Sequence, residues 1–386
     1  MIRNSHARAL AVAAIIAGVL AAVGTRTALA DPPRGTEPRP ADVVGVGTPT
    51  DQYLFDQLAL DYDLTHRGAS TLLYSWDAAS PTAKNNQIRT KAGCAAITRP
   101  DNSASATSAL EDKTKDPAAP ADYCIDFARA VLSPDALGTS CKAGGYCLVT
   151  IARDAVTWVA RSAARGGTDA PRSLTPAQLA GIFECKYTNW RQVGGKNAHI
   201  RAFLPQTSSD MRAVWLAALG HGKPITPGRC VSDDHNKLIE NEAVNPVLDS
   251  AEAIYIYSIG TYIAQAYHSA QCASPACAAV MSPLDTATKC HDPNGCEVLE
   301  PINGTRPDYT TCEDCWFQNI NFLASFLIPV SVVVGDPGGP TGRSESLDPF
   351  FSPSGWICTS PMARQAFLDN GLLLDAPGFQ CGTVRS

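Results

Sequence analysis

Charge is in short supply in this chain. Lys, Arg, Asp and Glu make up 18% of the 386 residues, below the ~25% usual for soluble domains. Acidic residues outnumber basic ones, 37 to 31, and no run of five like charges occurs. Nucleic-acid binding and a polybasic membrane patch both need a basic excess, so neither is expected. Histidine is scarce, with 7 in all, and none stands in an HExxH pattern. His221, His235 and His291 fall in polar loops, so no metal site is expected. There is no Gly-x-Ser-x-Gly elbow, no phosphate-loop lysine and no GxGxxG after a strand. Those absences exclude the common serine hydrolases, nucleotide hydrolases and dinucleotide enzymes. Neither a catalytic constellation nor a cofactor is expected. Glu240 and Glu242 alternate in a polar segment, the pattern of a solvated face.

What is present begins with a 45% apolar content, enough for a packed core. Arg3, His6 and Arg8 precede the apolar run Ala9 to Val23, and Ala28-Leu29-Ala30 follows. This is the order of a cleavable export signal, with the mature chain starting at Asp31, and the run is shorter than the ~20 residues of a membrane span. No later run is long enough to span, and no cysteine precedes Cys94 to carry a lipid. A secreted or periplasmic protein without a lipid anchor is therefore expected.

The 14 cysteines fit an oxidising compartment. Neighbouring pairs are Cys94/Cys124, Cys141/Cys147, Cys185/Cys230, Cys272/Cys277, Cys290/Cys296, Cys312/Cys315 and Cys358/Cys381. Spacing alone leaves the connectivity open, and sequential pairing is the simplest arrangement. Cys312-Glu313-Asp314-Cys315 has the form of a redox or zinc element as well as a disulfide. Lacking a matching second pair, it is read as a disulfide.

Residues 31–41 are a Pro-rich spacer. Beyond it, strands alternate with helices: a strand at Val43–Val46, a helix from Asp51 to Tyr62 and a strand at Leu72–Trp76. Another helix opens at Ser103. Tyr146–Ile151 and Ala155–Ala160 are apolar runs suited to buried strands, and Thr175-Pro176-Ala177-Gln178 reads as a helix start with a capping box. A strand at Ile200–Leu204 leads to a helix bearing Met211, Val214, Trp215, Ala218 and Leu219, and Ala253–Tyr257 leads to a third such pair. Residues 269–315 carry six cysteines with little periodicity and read as a disulfide-stapled insertion; Phe322–Val334 is a further buried run. Such alternation means an α/β sheet with ligands at strand-to-helix turns. Three of those turns are rich in hydroxyls: Thr48/Thr50, Ser103/Ser105 and Thr207/Ser208/Ser209. Free N–H groups of helix starts plus hydroxyls can make an anion pocket, although Ser and Thr are also ordinary helix caps.

The segment Leu174-Thr175-Pro176-Ala177-Gln178-Leu179-Ala180-Gly181-Ile182-Phe183, then Thr188-Asn189-Trp190, Val193-Gly194-Gly195 and Ser209-x-x-Arg212, resembles the phosphate-binding solute receptors of ATP-driven uptake systems. These belong to the type 2 periplasmic binding protein superfamily. Gly45-Val46-Gly47, Asp101 to Ser105, Asp126-Phe127-Ala128-Arg129 and Ala253 to Gln265 follow in order. Gly355-Trp356-Ile357-Cys358 and Cys381-Gly382 are similar to the endings of secreted actinobacterial-type members. The resemblance covers most of 42–386 outside the insertion. It implies a two-lobed fold with a ligand cleft, lobe one being 42–148 plus 324–386 and lobe two 149–323. It also implies a monomeric receptor for a small oxyanion, phosphate by analogy, that could serve an ABC permease. Mapped residue by residue, the ligand would meet Thr48, Thr50, Ser103, Ser105, Ser208, Ser209 and Arg212, with Arg129 as a further charge. Two departures stand out. Asp210-Met211 replaces the Gly-Thr of the family's Ser-Gly-Thr-Arg turn, and the acidic acceptor for a protonated phosphate falls near Val131. An extracellular interaction protein that reuses the fold without transport is the alternative these departures favour.

Overall fold

Apolar β-branched runs and hydroxyl-rich helix starts alternate through the chain as the sequence leads one to expect. The computed structural model describes residues 31–32, 36–78, 86–112, 115–117, 119–131, 141–142, 146–241, 245–271, 297–312, 315–322, 326–335, 344–374 and 379–384. The elements that position the site are β1 (Val43–Gly47), α1 (Gln52–Thr65), β2 (Leu73–Ser75), α2 (Ser103–Glu111), β3 (Phe127–Ala130) and β4 (Tyr146–Arg161). They continue with α3 (Pro176–Phe183), β5 (Arg201–Phe203), α4 (Asp210–Leu219), β6 (Val231–Ser232), β7 (Ala253–Ser258), α5 (Ile259–Gln271), β8 (Glu297–Glu300) and β9 (Leu327–Gly335). One mixed sheet runs β6-β5-β7-β4-β9-β3-β1-β2, with β8 and the short strands Cys141–Lys142 and Thr383–Val384 also on β4. β2-β1-β3 and β6-β5-β7 are parallel groups, and β4 and β9 join them through antiparallel pairings.

β4 and β9 serve two separate cores. On β4, Cys147, Val149 and Ile151 pack with Phe127 and Val332, while Val156, Trp158 and Ala160 pack with Phe183, Trp190 and Trp215. On β9, Ile328 faces the second core and Val330, Val332 and Val334 face the first. Alternation across the first sheet region puts Ala128, Leu148 and Val333 on its other face, under α2.

Tyr146–Ile151 and Ala155–Ala160 are one continuous strand, because the polar dipeptide between them is satisfied without a turn. Arg153 exchanges backbone hydrogen bonds with Leu373, and the buried Asp154 carboxylate accepts from Gly260 N at 2.9 Å and from the Ser258 hydroxyl. Within the insertion, residues 297–300 join the sheet as β8, paired antiparallel with β4. Residues 272–296 of the insertion lie outside the described residues. Phe322 and Phe326 pack in the second core, but the strand itself starts only at Leu327.

Disulfides join Cys94 to Cys124, Cys185 to Cys230 and Cys358 to Cys381, as sequential pairing has them. Cys147 is also disulfide-bonded, and no described cysteine is free. The pairs at 272/277 and 290/296 and the side chains of Cys312 and Cys315 lie outside what is described. No described helix is long and apolar enough to cross a membrane.

Candidate functional site

Three helix starts meet where the two cores face each other. The first follows β1. Gly47 lets β1 approach β3 closely, since a Cβ there would lie 2.5 Å from Arg129 atoms. The chain then turns through Thr48-Pro49-Thr50 into α1, and both threonines are buried. The second is α2, capped by Asn102, whose side chain accepts from Ser105 N at 2.8 Å. Ser105 Oγ in turn accepts from Asn102 N at 3.3 Å. The third is α4, where Ser209 Oγ accepts from Arg212 N at 3.1 Å. The second and third are the local outcome of a short polar side chain satisfying orphan N–H groups, whereas the start of α1 has no side-chain cap.

A side chain absent from the sequence-based site lies at the centre. Glu240 is 1% exposed, so its reading as a solvated carboxylate is wrong; Glu242 lies outside the described residues. Thr48 Oγ1 donates to Glu240 Oε1 at 2.9 Å, and Thr50 Oγ1 donates to the same oxygen. The other oxygen, Oε2, accepts from Ser209 Oγ and, at 3.3 Å, from Met211 N. One carboxylate thus takes two donors from each side of the cleft. Its backbone is stitched across as well: Asn241 Nδ2 donates to Pro49 O at 3.1 Å, and Tyr255 Oη to Ile239 O at 2.9 Å.

A second carboxylate crosses the same gap. Asp210 Oδ2 accepts from both the N–H and the Oγ of Ser103, each at 2.7 Å. Burial, then the neighbouring Glu240 charge, pushes the Asp210 carboxyl up to about 7, against the Ser103 and Thr48 hydrogen bonds. Val131, where the resemblance places an acidic acceptor, is buried and donates its N–H to Ser103 Oγ at 3.0 Å.

The structure brings Thr48, Thr50, Ser103 and Ser209 together on the Glu240 and Asp210 carboxylates, whereas the side chains of the other four bond to neither carboxylate. Ser105 is spent on its own helix start. Ser208 Oγ donates to Asp101 Oδ2 at 2.8 Å, closing the lip of the cleft. Arg212 Nη1 donates to Pro205 O at 2.9 Å and lies 3.5 Å from Asp233, so its charge is used inside its own side. Arg129 is fully buried beneath the first turn, bonded to the Ser75 hydroxyl, Trp76 O at 2.8 Å and Thr48 O at 3.3 Å, with Asp51 at 3.4 Å. It supports the turn from below. Sequence reasoning missed Glu240 and the Met211 N–H. The one available signal was a carboxylate inside the run Leu238-Ile239-Glu240, which a wholly solvated loop does not need.

A family model described as the PBP superfamily domain matches residues 32–274. The chain belongs to the PBP superfamily. Its structure is also similar to an ABC-type phosphate transport receptor from Vibrio cholerae, at 14% identity and TM-score 0.49 over 86% of this chain and 99% of that one. A putative phosphate ABC transporter substrate-binding protein with bound phosphate from Clostridium perfringens is 13% identical, with TM-score 0.48 over 86% and 98%. A human phosphate binding apolipoprotein is 12% identical, with TM-score 0.45 over 86% and 90%. No curated protein matches the chain.

Proposed function

We propose that this PBP-superfamily protein is an exported, non-catalytic receptor that takes a small oxyanion in the cleft between its two cores. The observation that carries the reading is the seat of Glu240: four convergent donors already hold an anionic carboxylate there. Hydroxyls and a helix-start N–H are the groups that hold oxyanions elsewhere, and they need no net positive charge on the protein. Phosphate is the first ligand to try, on the sequence resemblance set out above. The ligand would rest on Thr48, Thr50, Ser209 and the Met211 N–H, with Ser103 beside it. The division into lobes at 42–148 with 324–386 and 149–323, export with a start at Asp31, a monomeric state and service to an ABC permease belong to the same proposal.

Thermal melts with phosphate, sulfate, arsenate and nitrate test it. A ligand at 100 times its dissociation constant adds ~2.7 kcal/mol to stability, a rise of several degrees. Thr50→Val should abolish that rise. Absence of any rise up to ~10 mM, in wild type and in a Glu240→Ala variant alike, would refute the oxyanion reading. The second reading, an extracellular interaction protein, is favoured by one observation: Glu240 and Asp210 already fill the donor set.

A further inference from the structure

We propose that Glu240 is a tethered ligand, a built-in competitor that holds the cleft closed and sets the apparent affinity for any free oxyanion. The inference deepens the oxyanion reading and rests on it for the competition, though not for the latch. Its first support is the division of labour between the two carboxylate oxygens: Oε1 is held by the Thr48 and Thr50 hydroxyls and Oε2 by Ser209 and Met211. Each side of the cleft therefore contributes one pair of donors to a single group. Among the described residues no cation forms an ion pair with Glu240, so hydroxyl and N–H dipoles alone offset its buried charge. A structural carboxylate with no further duty is ordinarily paired or exposed.

The second support lies in the backbone that delivers it. Asp234, His235 and Asn236 have φ of 47°, 59° and 65°, three successive non-glycine residues in the left-handed region. Asp, His and Asn are the non-glycine residues that enter this region most readily, ordinarily as single residues and not three in a row. That run stands just before the strap Leu238–Asn241 and is held by Asn236 N donating to Asp233 Oδ1 at 2.9 Å and by Thr207 N donating to Asn236 Oδ1 at 2.8 Å. The strap is then pinned by Gln206 N to Leu238 O at 2.8 Å and Gln265 Nε2 to Asn241 O at 2.8 Å. Such backbone persists where surrounding contacts over-determine it. An incoming anion must displace all four Glu240 bonds, so its apparent dissociation constant is the intrinsic one divided by the fraction of molecules with Glu240 out.

Glu240→Ala tests the inference, with Glu240→Gln as the milder variant should the first fail to fold. Two readouts are taken on the full chain: hydrogen exchange at the Met211 amide without ligand, and calorimetric titration with inorganic phosphate. Loss of the carboxylate should speed Met211 exchange at least tenfold, and added acetate should slow it again by filling the vacated seat. Phosphate should bind the variant at least tenfold more tightly than wild type. Unchanged Met211 exchange overturns the tethered ligand, whatever phosphate does. Faster exchange rescued by acetate, with no phosphate binding to either protein, upholds the latch and sinks the phosphate reading instead. Equal phosphate affinity in wild type and variant overturns the competition.

Discussion

Arg129 and Trp215 are both fully buried, one in the first half of the molecule and one in the second, and their surroundings have little in common. Trp215 meets aromatic rings, Phe183 at 5.7 Å and Phe326 at 5.4 Å between centroids, and its indole N–H has no partner. Arg129 meets oxygens of Ser75, Trp76, Thr48 and Asp51, with the Phe55 ring 6.0 Å away. Aromatic packing supports the body of α4 behind its Ser209 cap. The Thr48–Thr50 turn instead rests on a buried charge and its counter-charges. The two walls of one cleft are therefore expected to fail for different reasons: one on loss of volume, the other on loss of charge balance.

The largest effect should come from the packed side. Trp215→Ala should cost about 3–5 kcal/mol through lost burial and a cavity. Trp215→Phe should cost far less, since it also removes an unsatisfied N–H. Urea unfolding at pH 5 and pH 8 checks both, and the cost should be the same at the two pH values. A strong pH dependence of the Trp215→Ala penalty would erase the contrast.

On the charged side, Arg129→Met leaves Asp51 without its guanidinium. Breaking a buried pair costs ~3–5 kcal/mol, and about 3 is expected at pH 8. Burial pushes the Asp51 carboxyl up to about 7 even with Arg129 beside it. Without Arg129 that carboxyl rises further and stays protonated at pH 5, so the penalty there should be clearly smaller. The wild-type protein should show a weaker form of the same trend. Asp51 and Asp77 titrate near 7 in the fold, raised by burial, against ~3.9 in an unfolded chain. The native state then binds more protons than the unfolded one between those values, so stability is complete below about pH 4 and is lost as pH rises through 7. A loss on the order of 5 kcal/mol from pH 5 to pH 8 is expected, read as a lower urea midpoint.

Local rules carry far in this chain. The α3 start was legible because Thr175 and Gln178 satisfy each other's backbone groups, and they do so with Gln178 N to Thr175 Oγ1 at 3.1 Å and Thr175 N to Gln178 Oε1 at 2.9 Å. Helix faces were legible for the same reason, since Met211, Trp215, Ala218 and Leu219 are buried together. The two apolar runs of β4 were legible, but what satisfies Arg153-Asp154 between them was not, since Gly260 and Leu373 arrive from more than 100 residues away. Glu240 was illegible in the same way: its partners Thr48 and Thr50 lie 192 and 190 residues earlier. Periodicity and capping see neighbours within a turn, and a carboxylate that bridges two halves has none there.

Arg212 gives the finest comparison of the two walls. By resemblance it should hold the anion directly, and removing a charge-assisted hydrogen bond would then weaken binding by roughly 10- to 150-fold. The structure uses its guanidinium on Pro205 O and toward Asp233, and none of its bonds reaches Glu240. At 18% exposure it is also partly screened by water. Arg212→Ala should therefore cost about 1 kcal/mol of stability. Any phosphate affinity, measured in the Glu240→Ala background where the donor set is free, should change by less than about threefold. A loss of tenfold or more would mean that Arg212 swings into the cleft when ligand arrives, and the second wall would then share the first wall's dependence on charge.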